Sequence, residues 1–407
     1  MDKVILHCDM NGFFASVELL DYPELKDGPM AVCGNPEDRR GIILAKNQLA
    51  KEKGIVTAET LFSALKKCPD LKVVPPHHEK YSHYSKLINE IYYRYTDLVE
   101  PFSIDESWLD VTKSRKLFGE GKEIADSIRE TVKETLGLTL SVGVSFNKIF
   151  AKLGSEYKKP DATTVITREN FREILWPLPA KDMLYVGRVM SLELQKLGIH
   201  TIGDLALADK GLLESTFGKT GLMVHLYAKG FADDTVSPMT EKRKIKSVGN
   251  GITFRRNLKT DEDITAAIMG LSDNVAARLR QYGLKAKGVK VDIKNKDFLT
   301  ISRQVQLGSS SDSSFEIWEA AKALALPVSK THGPVRLITV TAINLAEGET
   351  DMQLSFFNGE SKDKETYERL DKTFDHIRSK YGPSAITFAS LVNNEIGIDL
   401  DEMKEED

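Results

Sequence analysis

Two acidic tracts constrain this chain more than any other feature. Asp9-Met10-Asn11-Gly12-Phe13-Phe14 follows the apolar run Val4-Ile5-Leu6, and Ser103-Ile104-Asp105-Glu106-Ser107 follows Leu98-Val99-Glu100-Pro101-Phe102. Both runs have β character, and both tracts fall where a strand gives way to a turn or helix, so Asp9, Asp105 and Glu106 are expected to converge at the edge of one sheet. Crowded carboxylates repel one another unless cations fill the cluster, and hard divalent ions with oxygen ligands suit it. Two ions about 4 Å apart would clamp the attacking and leaving oxygens of an in-line phosphoryl transfer. Metal-assisted nucleotide chemistry follows.

At 407 residues the chain exceeds one ordinary core, and roughly 100 to 200 residues per domain gives two to four domains. No apolar stretch approaches the ~20 residues of a membrane helix, and Asp2 and Asp9 exclude a signal peptide, so no membrane association is expected. Cys8, Cys33 and Cys68 show neither metal-ligand spacing nor pairing logic, which fits a reducing cytoplasm. The net charge of -4 conceals segregation: Glu241 to Arg303 holds 15 Lys and Arg against 7 Asp and Glu, whereas Glu347 to Asp407 holds 7 against 16. A basic block beside an acidic tail points to a polyanionic partner for the former.

Strands are expected over 3–9 and Leu138 to Val144, with two more from Leu98 to Val111 broken at Asp105-Glu106, while Met30 to Cys33 and Ile42 to Leu44 are apolar runs followed by turn or helix signals in a small, mixed region. Helices are expected from Phe13 to Leu20, Glu59 to Lys67, Tyr81 to Tyr95, Gly121 to Leu136 and Asn147 to Tyr157, which suggests a split βαβ sheet backed by helices. Past Thr167 the texture changes to short, glycine-punctuated helices. Lys181 to Leu207 reads either as a helix-hairpin-helix whose backbone N–H groups hold DNA phosphates or as an ordinary αα-hairpin. Val236 to Lys246, with Lys242, Arg243, Lys244 and Lys246, reads as a basic linker. Beyond it, β runs (Lys287 to Ile293, Leu299 to Val305, Val335 to Ile343) alternate with helices (Ile264 to Tyr282, Ser314 to Ala325). Their cationic side chains suit either the wet face of a sheet or a duplex backbone.

The run from Cys8 to Glu18, the run from Ser103 to Asp110, and Ser141-Val142-Gly143-Val144-Ser145-Phe146-Asn147-Lys148 continuing to Leu153 together resemble the Y-family translesion DNA polymerases of bacteria. Three motifs in the right order and spacing are far more specific than one. The resemblance spans about residues 1–345 and implies an α+β right hand. Its parts are a ferredoxin-like palm (1–10 and 77–166), small fingers (11–76), a helical thumb with a helix-hairpin-helix (167–233), a linker (234–240) and an α/β little finger (241–345), followed here by an acidic extension (346–407). It implies template-directed addition of deoxynucleotides to a primer 3′-OH with two Mg²⁺, specialised for damaged templates, at low fidelity and without proofreading.

Residue by residue, the resemblance implies Asp9, Asp105, Glu106 and the carbonyl of Met10 as metal ligands, with Asp105 and Glu106 catalytic. Asn11, Gly12, Phe13, Phe14, Ala45, Gln48, Lys51 and Lys159 would bind the nucleotide, and Phe14 would be the steric gate that collides with a ribose 2′-OH. Gly187, Arg188, Lys242, Arg243, Lys244, Lys246, Arg255 and Arg256 would contact primer-template DNA. The chain departs from the family at Gln48 and Lys51, where a Tyr and an Arg are usual; lysine lacks the bidentate fork. It departs again at Val189, where a hairpin turn usually has a second glycine and a β-branched residue disfavours positive φ. Gln353-Leu354-Ser355-Phe356-Phe357 resembles the short peptide by which bacterial polymerases dock on the sliding (β) clamp, and otherwise reads as a locally packed apolar run. The expectation is a monomeric, cytoplasmic bacterial enzyme, nucleoid-associated when on DNA. A clamp-tethered DNA-binding factor with weakened catalysis is the alternative, against which the retained carboxylates and Phe14 argue. A two-metal cyclase or nuclease leaves the basic domain unexplained.

Overall fold

The computed structural model describes residues 2–37, 39–232, 235–239, 241, 244–348, 362–392 and 394–398. Lys242, Arg243 and the pentapeptide Gln353 to Phe357 lie outside the described residues. The chain forms two compact units, Met1–Gly34 with Ile42–Lys242, and Asn35–Gly41 with Arg243–Asp407. Among the described residues no helix is long and apolar enough to cross a membrane.

The first unit runs β1 (Ile5–Met10), α1 (Phe13–Asp21), β2 (Met30–Cys33), β3 (Ile43–Lys46), α2 (Gln48–Glu52), α3 (Leu61–Lys67), β4 (Lys72–Val74), α4 (His78–Tyr93), β5 (Val99–Pro101), β6 (Glu106–Asp110), α5 (Arg115–Phe118), α6 (Gly121–Leu136), β7 (Leu140–Ser145), α7 (Lys148–Tyr157), β8 (Thr163–Val165), α8 (Phe171–Leu175), α9 (Arg188–Lys196), α10 (Ile202–Leu207) and α11 (Lys210–Ala228). Its five-stranded sheet has the order β5-β6-β1-β7-β8, antiparallel except for β7 with β8.

Side chains alternate across a strand, so each face of this sheet has its own set. Leu6, Cys8 and Met10 of β1 and Leu140, Val142 and Val144 of β7 join the α4 and α6 residues Ile88, Ile91, Tyr92, Ile124 and Ile128 in one core. Burial of each large aliphatic side chain there stabilises by roughly 1.5–3 kcal/mol. Ile5, His7 and Asp9 therefore face the other way, toward α7. That helix lies directly on β7 because position 143 is glycine: a Cβ there would stand 1.8 Å from the Ala151 carbonyl oxygen and 2.5 Å from the Ser155 nitrogen.

A small three-stranded sheet, β3-β2-β4, falls within the stretch expected to be fingers and packs around Ala31, Cys33, Ile43, Ala50, Ile55, Ala64, Cys68 and Leu71. Helices α8 to α11 lie within the stretch expected to be a thumb and share a core with Phe146 and Phe150. The stretch before Gly187 contributes only a 3-10 turn, Ala180–Asp182, and the two longer helices α9 and α10 meet through the Gly198 turn. At the predicted hairpin Gly187 is extended (φ -73, ψ 176) and caps α9, the positive φ falls on Tyr185, and Val189 is helical and 77% exposed.

The second unit contains β9 (Ser247–Leu258), α12 (Asp261–Gln281), β10 (Leu284–Asn295), β11 (Thr300–Ser311), α13 (Ser314–His332), β12 (Val335–Glu347) and α14 (Lys362–Tyr381). Its antiparallel sheet has the order β11-β10-β12-β9. Val289, Val291 and Ile293 pack with Ile268, Leu271 and Ile317 of α12 and α13, so Lys290, Asp292 and Lys294 face away from the helices. The part of the C-terminal extension that is described docks on the helices: Arg280 is paired with Asp375 at 2.5 Å and Arg378 with Asp273 at 2.8 Å, Phe315 stacks on Tyr367, and Leu391, Ile396 and Ile398 enter the core.

Candidate active site

Strand register brings the two acidic tracts together. Asp9 of β1 lies directly opposite Glu106 of β6, and opposed residues of an antiparallel pair share one face. That face is the one α7 covers. The Asp105 carboxylate accepts from Ser103 Oγ at 2.7 Å, while its main-chain oxygen accepts from Met10 N at 3.1 Å, which ties the second tract to the end of β1. The motif Lys148, Lys152, Glu156 then runs down α7 at four-residue spacing, one side chain per turn. Lys148 Nζ meets Glu100 Oε2 at 2.6 Å and Lys152 Nζ meets Glu106 Oε2 at 2.5 Å. Glu156 completes a group: one carboxylate oxygen each from Asp9, Glu106 and Glu156 all lie within 4.8 Å of one another.

Sequence reasoning missed Glu156. Its signal was the four-residue stripe itself, since a helix that places Lys152 on Glu106 must carry residue 156 toward the same sheet.

Burial sets the electrostatics. It pushes Asp9 up to about 7, only partly opposed by the Lys159 ammonium at 2.7 Å from Oδ2. Burial also raises Asp105, which the Ser103 hydrogen bond counters in part. At Glu106 burial acts in the same direction, but His7 Nε2 at 3.3 Å and Lys152 outweigh it and bring the group down to about 2. His7, wholly enclosed between Ser155 Oγ (2.8 Å) and Glu106, is held near 4 by burial. Asp9 and Glu106 thus differ strongly in proton affinity on one face of the sheet, as carboxylates at reactive centres do. Lys159, three residues beyond Glu156, bridges Asp9 Oδ2 and Glu156 Oε1 (3.1 Å), and burial of its ammonium is outweighed by those two carboxylates.

The loop after α7 is pinned to the first tract. Asn11 accepts from Asp161 N at 2.8 Å and donates to Ser141 Oγ at 3.0 Å, while Arg129 holds the Asp161 carboxylate at 2.7 Å. Hard oxygen donors converging on a buried, electrostatically unfavourable carboxylate suit a divalent ion. Asp9 and Glu106 would hold it, with Glu156 supporting them from α7.

The remaining predicted residues are placed as follows. Gly12 is left-handed (φ 55) at the start of α1, and a Cβ there would come 3.0 Å from the Lys46 carbonyl, so the first tract lies against β3, which carries Ala45. Asn47 builds the nearby α2: its Oδ1 accepts from Ala50 N (3.0 Å) and Met30 N (3.1 Å). Gln48 donates to Glu52 at 3.1 Å and Lys51 is exposed. Phe13 is buried in the core beneath the five-stranded sheet, which leaves only its backbone for a ligand, whereas Phe14 is half-buried at the surface of the same turn. Gly187, Arg188, Lys244, Lys246, Arg255 and Arg256 are all exposed. Arg256 grips Asp263 through both terminal nitrogens at 2.7 and 2.8 Å, and the Arg255 main chain donates to Ile396 O.

Comparison with known proteins agrees with this geometry. Residues 8–156 match the impB/mucB/samB family, and residues 245–356 match the impB/mucB/samB family C-terminal domain. The chain is 44% identical over 382 residues to DNA polymerase IV of Acetivibrio thermocellus, covering 94% of this chain and 96% of that protein. It is 34% identical to DNA polymerase IV of Clostridium kluyveri, over 96% and 99% of the two chains, and 35% identical to DNA polymerase IV 2 of Bacillus subtilis, over 96% and 94%. A Y-family DNA polymerase chimera of solved structure superposes with a TM-score of 0.75 at 24% identity, covering 85% of this chain and all of that one, and so shares the fold.

Proposed function

Since the chain belongs to the impB/mucB/samB family of Y-family DNA polymerases, we propose that Asp9, Asp105 and Glu106, with the Met10 carbonyl, hold two Mg²⁺ against a primer terminus and a deoxynucleoside triphosphate. The protein is a DNA-directed DNA polymerase of the translesion class, metal-dependent, with an acidic group able to take a metal. The observation that carries the site reading is the Asp9–Glu106 register, which forces two carboxylates onto one face of the sheet.

Bound there, divalent ions supply activation of the 3′-hydroxyl and neutralisation of charge on the triphosphate. The chain supplies the rest. Lys152 and His7 orient the Glu106 carboxylate, and Lys159, on its pinned loop, offers an ammonium to phosphate oxygens. Gly12 and Ala45 leave backbone accessible beside Gln48 and Lys51 for the triphosphate. Phe14 walls off the 2′ position of the sugar. The exposed Gly187, Arg188, Lys244, Lys246, Arg255 and Arg256, with Lys242 and Arg243, contact the primer-template backbone, and Gln353 to Phe357 dock on the sliding clamp. The enzyme acts as a cytoplasmic monomer at low fidelity, without proofreading. A DNA-binding factor with weakened catalysis is not favoured, because Asp9, Asp105, Glu106 and Phe14 are all retained.

Primer extension on undamaged and abasic templates tests this reading. Asp105→Ala and Glu106→Ala are each expected to lower the rate about a thousandfold or more, while Phe14→Ala retains extension and gains ribonucleotide use. Extension at wild-type rate by Glu106→Ala rules the site out.

A further inference from the structure

Phe14 does not stand alone. Its ring lies on Tyr81, from the first turns of α4, with centroids 3.9 Å apart and planes 10° from parallel, and His78 meets both rings edge-on. Tyr81 is fully buried. Its hydroxyl donates to Glu18 Oε1 at 2.5 Å and accepts from the His77 N–H at 3.1 Å. Glu18 follows Phe14 by four residues, so the two project from one face of α1, one turn apart. Tyr81 therefore lies along that face, touching Phe14 with its ring and Glu18 with its hydroxyl.

Glu18 is itself wholly buried, and its carboxylate also meets His77 Nδ1 at 3.0 and 3.1 Å and Lys80 Nζ at 3.4 Å. Packing does not require such a group. Apolar side chains of similar volume would fill the space without the cost of desolvating a charge, so stability alone gives no reason for this network. Stacked rings slide easily, whereas a short charge-assisted hydrogen bond fixes one ring by its edge and the second ring through the stack.

On the reading of Phe14 as the sugar gate, we infer that Tyr81 is a positioning residue, anchored by Glu18 and His77, that holds the Phe14 ring where it separates deoxyribose from ribose. A gate that can retreat by 1 Å admits a 2′-hydroxyl. The specificity of the site is thus built by α4 and the far end of α1 as well as by Phe14.

Single-nucleotide insertion with a dNTP and the matching rNTP, for wild type, Phe14→Ala, Tyr81→Ala, Tyr81→Phe and Glu18→Gln, decides the matter, with folding checked by circular dichroism. The ratio of kcat/KM for dNTP over rNTP is expected to fall most in Phe14→Ala, about tenfold in Tyr81→Ala, and about threefold in Tyr81→Phe and Glu18→Gln, because small displacements of a positioned group carry such factors. Partial recovery in Tyr81→Phe relative to Tyr81→Ala separates the stack from the tether. If Phe14→Ala responds while the Tyr81 and Glu18 variants lose activity on both nucleotides equally, the inference is overturned and the gate stands. An unchanged ratio in Phe14→Ala overturns the gate and the inference with it. Should Tyr81→Ala fail to fold, an unchanged ratio in Tyr81→Phe is enough to overturn the tether.

Discussion

Every residue of β1 and of β7 is buried, whereas most of β11, at the edge of the C-terminal sheet, is exposed. Both sheets are mainly antiparallel and carry helices, yet one is covered on both faces and the other on one. The covered sheet gathers its ionisable groups, His7, Asp9 and Glu106, on the face that α7 closes, and desolvation then separates their proton affinities. The half-covered sheet instead spreads polar groups over a broad face, Lys290 opposite Gln304 and Thr341, Asp292 opposite Ser302 and Thr339, and Lys294 opposite Thr300. A point site and a contact surface therefore arise from closely related architectures. What distinguishes them is whether a second layer of helix closes the sheet.

That contrast is sharpened most by two glycines. Gly143→Ala would drive a methyl into the α7 backbone, and a loss of about 3 kcal/mol or more is expected, because overpacking against main chain cannot relax by rotation. Gly251→Ala, on the open face of β9, meets the Thr339 side chain first, 2.2 Å from its Oγ1, and about 1 kcal/mol is expected since that hydroxyl can turn away. Urea unfolding of both variants checks the pair; equal losses would remove the distinction between closed and open sheets.

Within the point site, Glu156→Gln is expected to weaken divalent-ion affinity about tenfold, the lower range for a group supporting metal ligands. Titration with Mn²⁺ followed by electron paramagnetic resonance measures it, and unchanged affinity would place Glu156 outside the metal's reach. On the open sheet effects should be small and additive. Lys294→Ala is expected to cost a few-fold in DNA affinity and to flatten the dependence of log K on log salt by about 0.9, the value of one phosphate contact. Anisotropy titrations at several salt concentrations read this out, and an unaltered slope would exclude Lys294 from the DNA surface.

Much of the first unit was legible in the chain. Helix α6 runs from Gly121 to Leu136 as its periodicity predicts, and β2 occupies Met30–Cys33, because long amphipathic helices and bounded apolar runs carry their own signal. β9 was not legible: Gly249, Gly251, Arg255 and Arg256 spoil its alternation, and it is a strand because β12 supplies its hydrogen bonds. Helix α13 continues through Pro327 to His332, past the expected end at Ala325, since packing on α12 and β10 holds the turn that proline weakens. Short β4 and β8 likewise exist only by pairing with β2 and β7.

Local sequence alone determined that Asp9, Asp105 and Glu106 stand at strand ends and that Phe14 opens a helix, because strand and helix periods are properties of a few neighbouring residues. Only the tertiary structure decided that Glu156 joins Asp9 and Glu106, that Lys159 lies on that group, and that Tyr81 and Glu18 brace Phe14. Those contacts depend on register and on the seating of α7 over Gly143 and of α4 beside α1, and such long-range geometry is set by packing rather than by spacing along the chain.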